Sequence, residues 1–248
     1  MNDAIAGSPS KTLGILMLNT RFPRVPGDIG DPDTFPYGVR YAVIEPATVD
    51  KIVTADGPTG SIMDAFVEAA HGLVDEGVAG LTTSCGFMAI AQKELAGRCR
   101  VPVVASSLCQ IPLVQSTLPA GKRVGVLTID SSQLTAAHFV GVGAPTDLPI
   151  EGVEGGRELA RIIQNDLPTL DVEKAEADVV DAGRRLIVKA PDVGAIVLEC
   201  TNMAPYAQSL AAAVGLPVYD IIGLLGWWHR GLTPPAFGEK ALARAGSG

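Results

Sequence analysis

Two stretches of the sequence decide the fold: "VAGLTTSCGFMAIAQKELAGRCRVPV" at residues 78–103 and "VGAIVLECTNMAPYAQSLAAAVGLPV" at residues 193–218. Each opens with an apolar run typical of a strand buried on both faces, continues as a helical stretch and ends at a second short strand. Strands that alternate with helices predict a parallel sheet with right-handed crossovers. The sequence therefore predicts an open α/β fold.

An internal repeat relates these stretches, because they align without a gap in one register. The alignment pairs identical residues, among them Cys85 with Cys200, Met88 with Met203 and Pro102 with Pro217. Composition alone explains matched alanines and leucines in two buried strand–helix units, but it does not predict a cysteine pair and a proline pair in the same register. The runs "GILMLN" at 14–19 and "GVLTID" at 125–130 extend the similarity to an earlier strand. Duplication is the favoured explanation, and it predicts two similar α/β halves.

Composition narrows the classes of function and compartment. The net charge of −8 over 248 residues leaves no basic stripe for a nucleic-acid partner. No apolar run is long enough to span a membrane, and the N-terminus lacks the pattern of a secretory signal. The four cysteines are scattered rather than arranged as a disulfide framework. We therefore expect a cytoplasmic protein with free thiols, whose partner is a small-molecule substrate rather than nucleic acid or a membrane.

Motifs for the common cofactors are missing from the sequence. No CxxC or His/Cys cluster has zinc spacing, and no GxGxxG follows the first strand. The glycines of "GVEGGRELA" at 152–160 lack the lysine and hydroxyl residue of a phosphate loop, and no GxSxG marks a serine hydrolase. We expect neither a metal nor an organic cofactor.

Cys85 and Cys200 each lie where a predicted strand ends and a predicted helix begins. Ligands of open α/β sheets bind at this edge, so two facing halves would bring both thiols to one cleft. Backbone N–H groups and the helix dipole at such a position stabilise a thiolate and lower the pKa of the thiol. One thiolate then removes a proton from carbon while the opposite thiol delivers one, which inverts a stereocentre without a cofactor.

The alternative interpretation is that a buried cysteine serves as a small apolar residue. We apply it to Cys99 and Cys109, which have no partner motif. Hydroxyl side chains beside Cys85 and Cys200 favour a chemical role there, because buried polar groups next to a thiol need partners and a ligand supplies them.

The segments "GILMLNT", "TTSCGF" and "CTNMAPY" resemble the opening strand and the two cysteine motifs of the aspartate/glutamate racemase superfamily. This superfamily includes hydantoin and allantoin racemases, maleate isomerase and arylmalonate decarboxylase. The resemblance implies two pseudosymmetric open parallel-sheet domains of the Rossmann or flavodoxin type, with the active site in the cleft between them. The first domain would comprise residues 1–117 and, through a last helix that packs back, residues 223–248; the second would comprise residues 118–222.

The resemblance and the strand positions together give a set of candidate site residues. Cys85 and Cys200 would be the catalytic pair, and the residues in contact with substrate would be Asn19, Thr20, Arg21, Ser84, Gly86, Thr128, Thr201 and Asn202. Arg21 and Arg40 are candidates for a carboxylate clamp, because a guanidinium binds a carboxylate through two hydrogen bonds. The alternative for this arginine pair is a solvated loop position.

Departures from the family pattern indicate the kind of substrate. Asn19 and Thr20 after the first strand are similar to the opening motif of hydantoin racemases, and Gly86 stands where glutamate racemases carry Asn. A hydantoin or another substrate with a carbonyl-activated C–H bond is therefore favoured over free glutamate. The predicted function is a cofactor-independent racemase or epimerase that acts on a small amino-acid or hydantoin-type substrate through a thiolate and a thiol.

Two alternatives stay open at this point. One is a maleate-type cis–trans isomerase with a cysteine nucleophile, and the other is a non-catalytic protein that binds a small ligand. Arylmalonate decarboxylase keeps one cysteine, so the pair argues against that activity. Dimers are common among such folds, and a homodimer is one expected assembly, although no apolar stripe in the sequence marks an interface.

Overall fold

The computed structural model describes residues 12–234, which form two four-stranded parallel sheets. The first sheet contains β1 (Leu13–Leu18), β2 (Val39–Ile44), β3 (Gly80–Thr83) and β4 (Val103–Val104) in the order β2-β1-β3-β4. The second contains β5 (Arg123–Thr128), β6 (Ile150–Gly152), β7 (Val193–Leu198) and β8 (Val218–Tyr219) in the order β6-β5-β7-β8. The two orders are the same, so the predicted α/β class with two similar parallel sheets is confirmed.

Helices connect and flank the strands. The α-helices are α1 (Val49–Ile52), α2 (Ser61–Asp75), α3 (Gln92–Arg98), α4 (Ile111–Thr117), α5 (Ala136–Gly141), α6 (Leu159–Gln164), α7 (Val172–Lys189), α8 (Ala207–Val214) and α9 (Ile221–Leu232). Short 3-10 helices cover Pro32–Thr34, Gly86–Ala91, Ser107–Gln110 and Thr201–Tyr206. No helix within residues 12–234 is long and apolar enough to cross a membrane.

The same close approach of a helix to a sheet recurs in both halves. A Cβ on Gly14 of β1 would stand 3.0 Å from the Leu73 side chain of α2, and a Cβ on Gly125 of β5 would stand 2.8 Å from the Leu186 side chain of α7. Each long helix presents an apolar face to its sheet, and these leucines are almost fully buried. The glycines that open "GILMLN" and "GVLTID" therefore allow a helix to pack closely on each sheet.

The structure adds three details to the helices. The helices after the cysteines begin as 3-10 turns and become α-helical only at α3 and α8. Ser131 and Ser132 do not cap α5, because their hydroxyls donate to Glu154 and Asp130; Thr135 takes the cap position instead. Pro112 does not interrupt α4 but lies in its first turn, where a missing N–H leaves no helical hydrogen bond unmade.

The last described helix, α9, crosses back to the first sheet. Its residues Ile221, Leu224 and Leu225 share a buried cluster with Leu13 and Ile15 of β1. Residues 235–248 of the predicted first domain lie outside the described residues, as do residues 1–11. The predicted boundaries after residues 117 and 222 stay a prediction.

Candidate active site

Cys85 and Cys200 lie at equivalent edges of the two sheets. Cys85 follows β3 and Cys200 follows β7, and each occupies the position just before a 3-10 helix. Both are nearly buried, with 8% and 7% of their surface exposed, and both line one small cavity between the halves. The structure thus brings the two thiols to a single site.

The residues around each thiol, 84–86 in the first half and 199–201 in the second, are here called the cysteine turns. Hydrogen bonds between the halves connect these turns and their surroundings. The Thr201 hydroxyl donates to the carbonyl of Ser84 at 2.7 Å. The Ser107 hydroxyl donates to the carbonyls of Leu198 at 2.5 Å and Glu199 at 3.1 Å. All five residues are buried, so water does not compete for these bonds.

Residues 20–31, here called the roof segment, cover the cavity and contact both halves. Phe22 and Arg24 line the cavity, and the Arg24 guanidinium stacks over the Phe22 ring at 4.4 Å from its centroid. Arg24 Nη1 donates to Asp28 Oδ1 at 3.1 Å, and Asn202 Nδ2 donates to Asp28 Oδ2 at 2.5 Å. The first half therefore supplies a largely buried cation at the site and ties it, through Asp28, to Asn202 near Cys200.

The cavity under the roof segment is small. Its volume of about 20 Å³ admits little more than one water molecule. A bound organic substrate consequently requires outward displacement of residues that line it. Outside the two sheets and their cysteine turns, the lining comes from the roof segment, from α1 and its C-cap through Val49 and Val53, and from α6 through Ile163.

The electrostatics of the thiols differ from the prediction. Burial raises the pKa of Cys85, and the charge of Glu199 raises it further; backbone N–H groups of Phe87 and Met88 oppose this shift but are outweighed. Burial and Glu199, in the same order, raise the pKa of Cys200. The predicted lowering of both thiol pKa values is therefore wrong for the closed site, where both thiols carry their protons.

Glu199 is the titratable group of the cavity with a pKa near neutrality. Burial raises its pKa to about 7, even though Thr128 and the backbone of Ile129 donate hydrogen bonds that favour the carboxylate. Only 1% of the residue is exposed. Such a pKa suits a group that exchanges protons at physiological pH.

The predicted site residues fall into three groups. Those that line the cavity are Cys85, Cys200, Ser84, Gly86 and Asn202. Thr128 and Thr201 lie behind the lining, where they donate to the Glu199 carboxylate and to the Ser84 carbonyl. Asn19, Thr20 and Arg21 do not line it. Asn19 bonds Glu45, Thr20 accepts from Arg24, and Arg21 pairs with Asp166.

The predicted arginine clamp is not formed. Arg21 is 74% exposed and bound to Asp166 at 2.9 Å, and Arg40 lies on β2 in an exposed pair with Glu76. Arg24, which was not among the predicted site residues, lines the cavity instead. Nothing local in the proline-rich loop distinguishes Arg24, whereas a glutamate at the end of the apolar run "IVLEC" was a visible signal for Glu199.

Metal ligands do not cluster in the part of the chain that the structure describes. Within residues 12–234 no group of three or more His, Cys, Asp or Glu side chains is placed to hold a metal ion.

Two curated relatives indicate the family. The chain is 30% identical over 244 residues to a dimethylsulfoniopropionate lyase of Durusdinium sp. clade D, across 92% of this chain and 77% of that protein. It is 29% identical over 228 residues to dimethylsulfoniopropionate lyase 3 of Emiliania huxleyi (strain CCMP1516), across 88% of this chain and 58% of that longer protein. The sequence matches no protein-family model.

Solved structures place the fold. Allantoin racemase from Klebsiella pneumoniae superimposes with a TM-score of 0.60 at 17% identity, over 90% of this chain and 87% of that one. Unliganded arylmalonate decarboxylase gives a TM-score of 0.55 at 16% identity, over 92% and 96%. Glutamate racemase from Francisella tularensis gives 0.55 at 14% identity, over 91% and 81%. The chain therefore shares the fold of these racemases and of arylmalonate decarboxylase, and it belongs to the family of the Durusdinium dimethylsulfoniopropionate lyase.

Proposed function

We propose that this protein is a lyase for a small carboxylate that carries a sulfonium group on its β-carbon, dimethylsulfoniopropionate being the substrate to test first. The observation that carries the proposal is the pair of thiols, Cys85 and Cys200, lining one closed cavity with Arg24. The family of the relatives supplies the substrate class, and the cavity supplies a base and an anion-binding group for it.

The reaction needs a base at one carbon. A thiolate removes a proton from the carbon next to the carboxylate, and the C–H electron pair forms the new double bond. The C–S bond breaks with its electrons on sulfur, which releases neutral dimethyl sulfide and leaves acrylate. Since the leaving group departs without a charge, no acid is needed to protonate it.

Charge that develops on the substrate carboxylate during proton removal needs stabilisation. Arg24 is 15% exposed and its Nη1 and Nη2 already donate to Asp28 and Thr20, which fix the guanidinium in place. Backbone N–H groups of the 3-10 turns that begin at Gly86 and Thr201 lie at the same cavity edge. Fixed donors of this kind stabilise an enolate more than the ground state.

The direct test is turnover of dimethylsulfoniopropionate by the purified protein, with dimethyl sulfide measured in the headspace and acrylate by NMR. Cys85→Ser and Cys200→Ser are each expected to lower kcat by about 10²–10⁴, the range for loss of a positioned proton-transfer group. Cys99→Ser is the matched control, because Cys99 does not line the cavity. Wild-type rates in both cavity variants would contradict the proposal.

A racemase or epimerase is the second candidate, and the symmetry of the thiols favours it. Inversion needs one proton donor or acceptor on each face of a carbon, and the two halves offer one thiol each. In heavy water a racemase incorporates deuterium at the stereocentre of allantoin or a hydantoin and conserves the substrate. A lyase consumes its substrate, so one panel of compounds separates the two functions.

A further inference from the structure

Glu199 is a buried carboxyl group that faces the cavity. Its Oε2 accepts from Thr128 Oγ1 at 2.8 Å and from the Ile129 N–H at 3.4 Å. Within residues 12–234 no hydrogen bond to Oε1 is formed, although the residue lines the cavity and is 1% exposed. A carboxylate in such surroundings is costly unless it binds a proton or faces a reacting group.

The carboxyl group lies against both cysteine turns. Glu199 directly precedes Cys200, and a Cβ on Gly86 would stand 2.3 Å from Glu199 Oε1 and 2.1 Å from its carbonyl oxygen. Only a glycine after Cys85 therefore permits this approach. The charge of Glu199 acts on both thiols, since it is the second cause of the raised pKa of each.

The other charged groups around the cavity are already paired. Arg24 and Asp28 form an ion pair, and Asp28 also accepts from Asn202. The Asp130 carboxylate, two residues beyond Thr128, accepts from Ser132 and Gln164. In the described part of the chain Glu199 has no salt-bridge partner. Because no cation pairs with its carboxylate, a negative charge at the cavity is shared between this carboxyl group and the neighbouring thiols.

We infer that Glu199 is the proton acceptor for the thiols, so that the base of the site is a thiol–carboxylate pair which shares a single negative charge. The inference rests on the proposed function. When substrate is bound, an S–H bond breaks and an O–H bond forms on Glu199; the thiolate then takes the substrate proton. After the products leave, Glu199 returns its proton to solvent, which balances the cycle.

The reactivity of the thiols should then depend on the protonation of Glu199, and therefore on pH. Below a pH of about 7 Glu199 is protonated and accepts nothing. Thiol alkylation and turnover should both fall as the pH drops through that value. Glu199→Gln keeps an oxygen that accepts from Thr128 and Ile129 but takes up no proton, so the step near pH 7 should disappear from both profiles.

The closing experiment measures the iodoacetamide alkylation rates of Cys85 and Cys200 by peptide mass spectrometry at pH 6–9. At pH 8 the Glu199→Gln rates should be about tenfold or more below wild type, corresponding to one pKa unit or more. If Glu199 is only a neighbouring negative charge, its removal lowers the thiol pKa and alkylation accelerates, which overturns the inference. Glu76→Gln, on the outer face, is the matched control and should leave the profile unchanged.

Two further readouts keep the outcome decisive. Thr128→Val removes a hydrogen bond that lowers the Glu199 pKa, so the alkylation step should move to higher pH; an unmoved step contradicts the inference even if Glu199→Gln fails to fold.

Alkylation requires no substrate, so it tests the role of Glu199 independently of the proposed lyase activity. A normal alkylation step without dimethyl sulfide release therefore counts against the lyase alone, whereas dimethyl sulfide release without the step counts against the role of Glu199 alone.

Discussion

The two cysteine turns are alike in backbone position and differ in the residue before the thiol. Ser84 precedes Cys85, and its hydroxyl accepts from the N–H of Leu18 at the end of β1. Glu199 precedes Cys200, and its carboxylate accepts from the N–H of Ile129 just beyond the end of β5. The same position therefore holds a neutral group in one half and an ionisable group in the other. A repeated scaffold supplies two equivalent thiols, but only one half supplies the charge.

Among variants that compare the two turns, the largest loss of activity is expected where the turns touch. Gly86→Ala places a methyl group against the backbone carbonyl of Glu199, which cannot move like a flexible side chain. We expect a loss of about 100-fold in kcat, because small displacements of reacting groups are costly. The equivalent position in the other half already carries a side chain, so Thr201→Ala should remove only one hydrogen bond, worth about 1 kcal/mol. Similar kcat losses in the two variants would break the comparison.

The difference in charge between the turns should also be visible in stability. The Glu199 pKa of about 7 lies above the value of 4.5 for an unperturbed glutamate, so the folded state holds the proton more tightly. The free energy of unfolding should consequently fall as the pH rises from about 4 to about 7, by roughly 3 kcal/mol at 1.36 kcal/mol per unit. Urea denaturation at pH 5 and pH 8 measures this decline.

Matched variants isolate the Glu199 contribution to that decline. Glu199→Gln should lose the part of the decline that belongs to this carboxyl group. Ser84→Ala, at the equivalent position, should be less stable than wild type at both pH values and keep the same decline. An equal decline in wild type and Glu199→Gln would show that the charge difference between the turns does not affect the free energy of unfolding.

The smallest effect is expected at Arg24 and Arg21, two arginines of the roof segment. This segment is provided by the first half alone. Arg24→Lys keeps the charge but loses the planar array of donors, and we expect KM to rise about tenfold or more. Arg21→Lys changes an exposed ion pair with Asp166 and should alter KM and stability very little. Steady-state kinetics of the two variants, measured together, locate the anion-binding group; an unchanged KM in Arg24→Lys would assign it elsewhere.

The sequence predicted the scaffold because strand and helix periodicity are local properties. The apolar runs, the alternation with helices and the register of Cys85 with Cys200 were sufficient for two parallel sheets with one thiol at each edge. Ser84, Gly86 and Asn202 followed because they adjoin those thiols in the chain.

The rest depends on how distant segments meet. Arg24 reaches the cavity only because the roof segment folds over both sheets, and no local pattern encodes that path. The thiol pKa was predicted from the helix N-terminus alone, but burial and Glu199 act in the opposite direction and prevail. The domain boundaries, the cytoplasmic location and the homodimer stay predictions.

The roof segment also affects the rate at which molecules enter and leave the cavity. It is fastened to the second half by the Arg21–Asp166 pair and the Asp28–Asn202 hydrogen bond, and Gly27 packs on Pro205. A molecule larger than water finds room beside the thiols only when lining residues move apart, and a path that lifts the roof segment must break these contacts on entry and again on departure. On such a path the opening frequency of these contacts limits how often the site exchanges its contents, however fast the chemistry inside it proceeds.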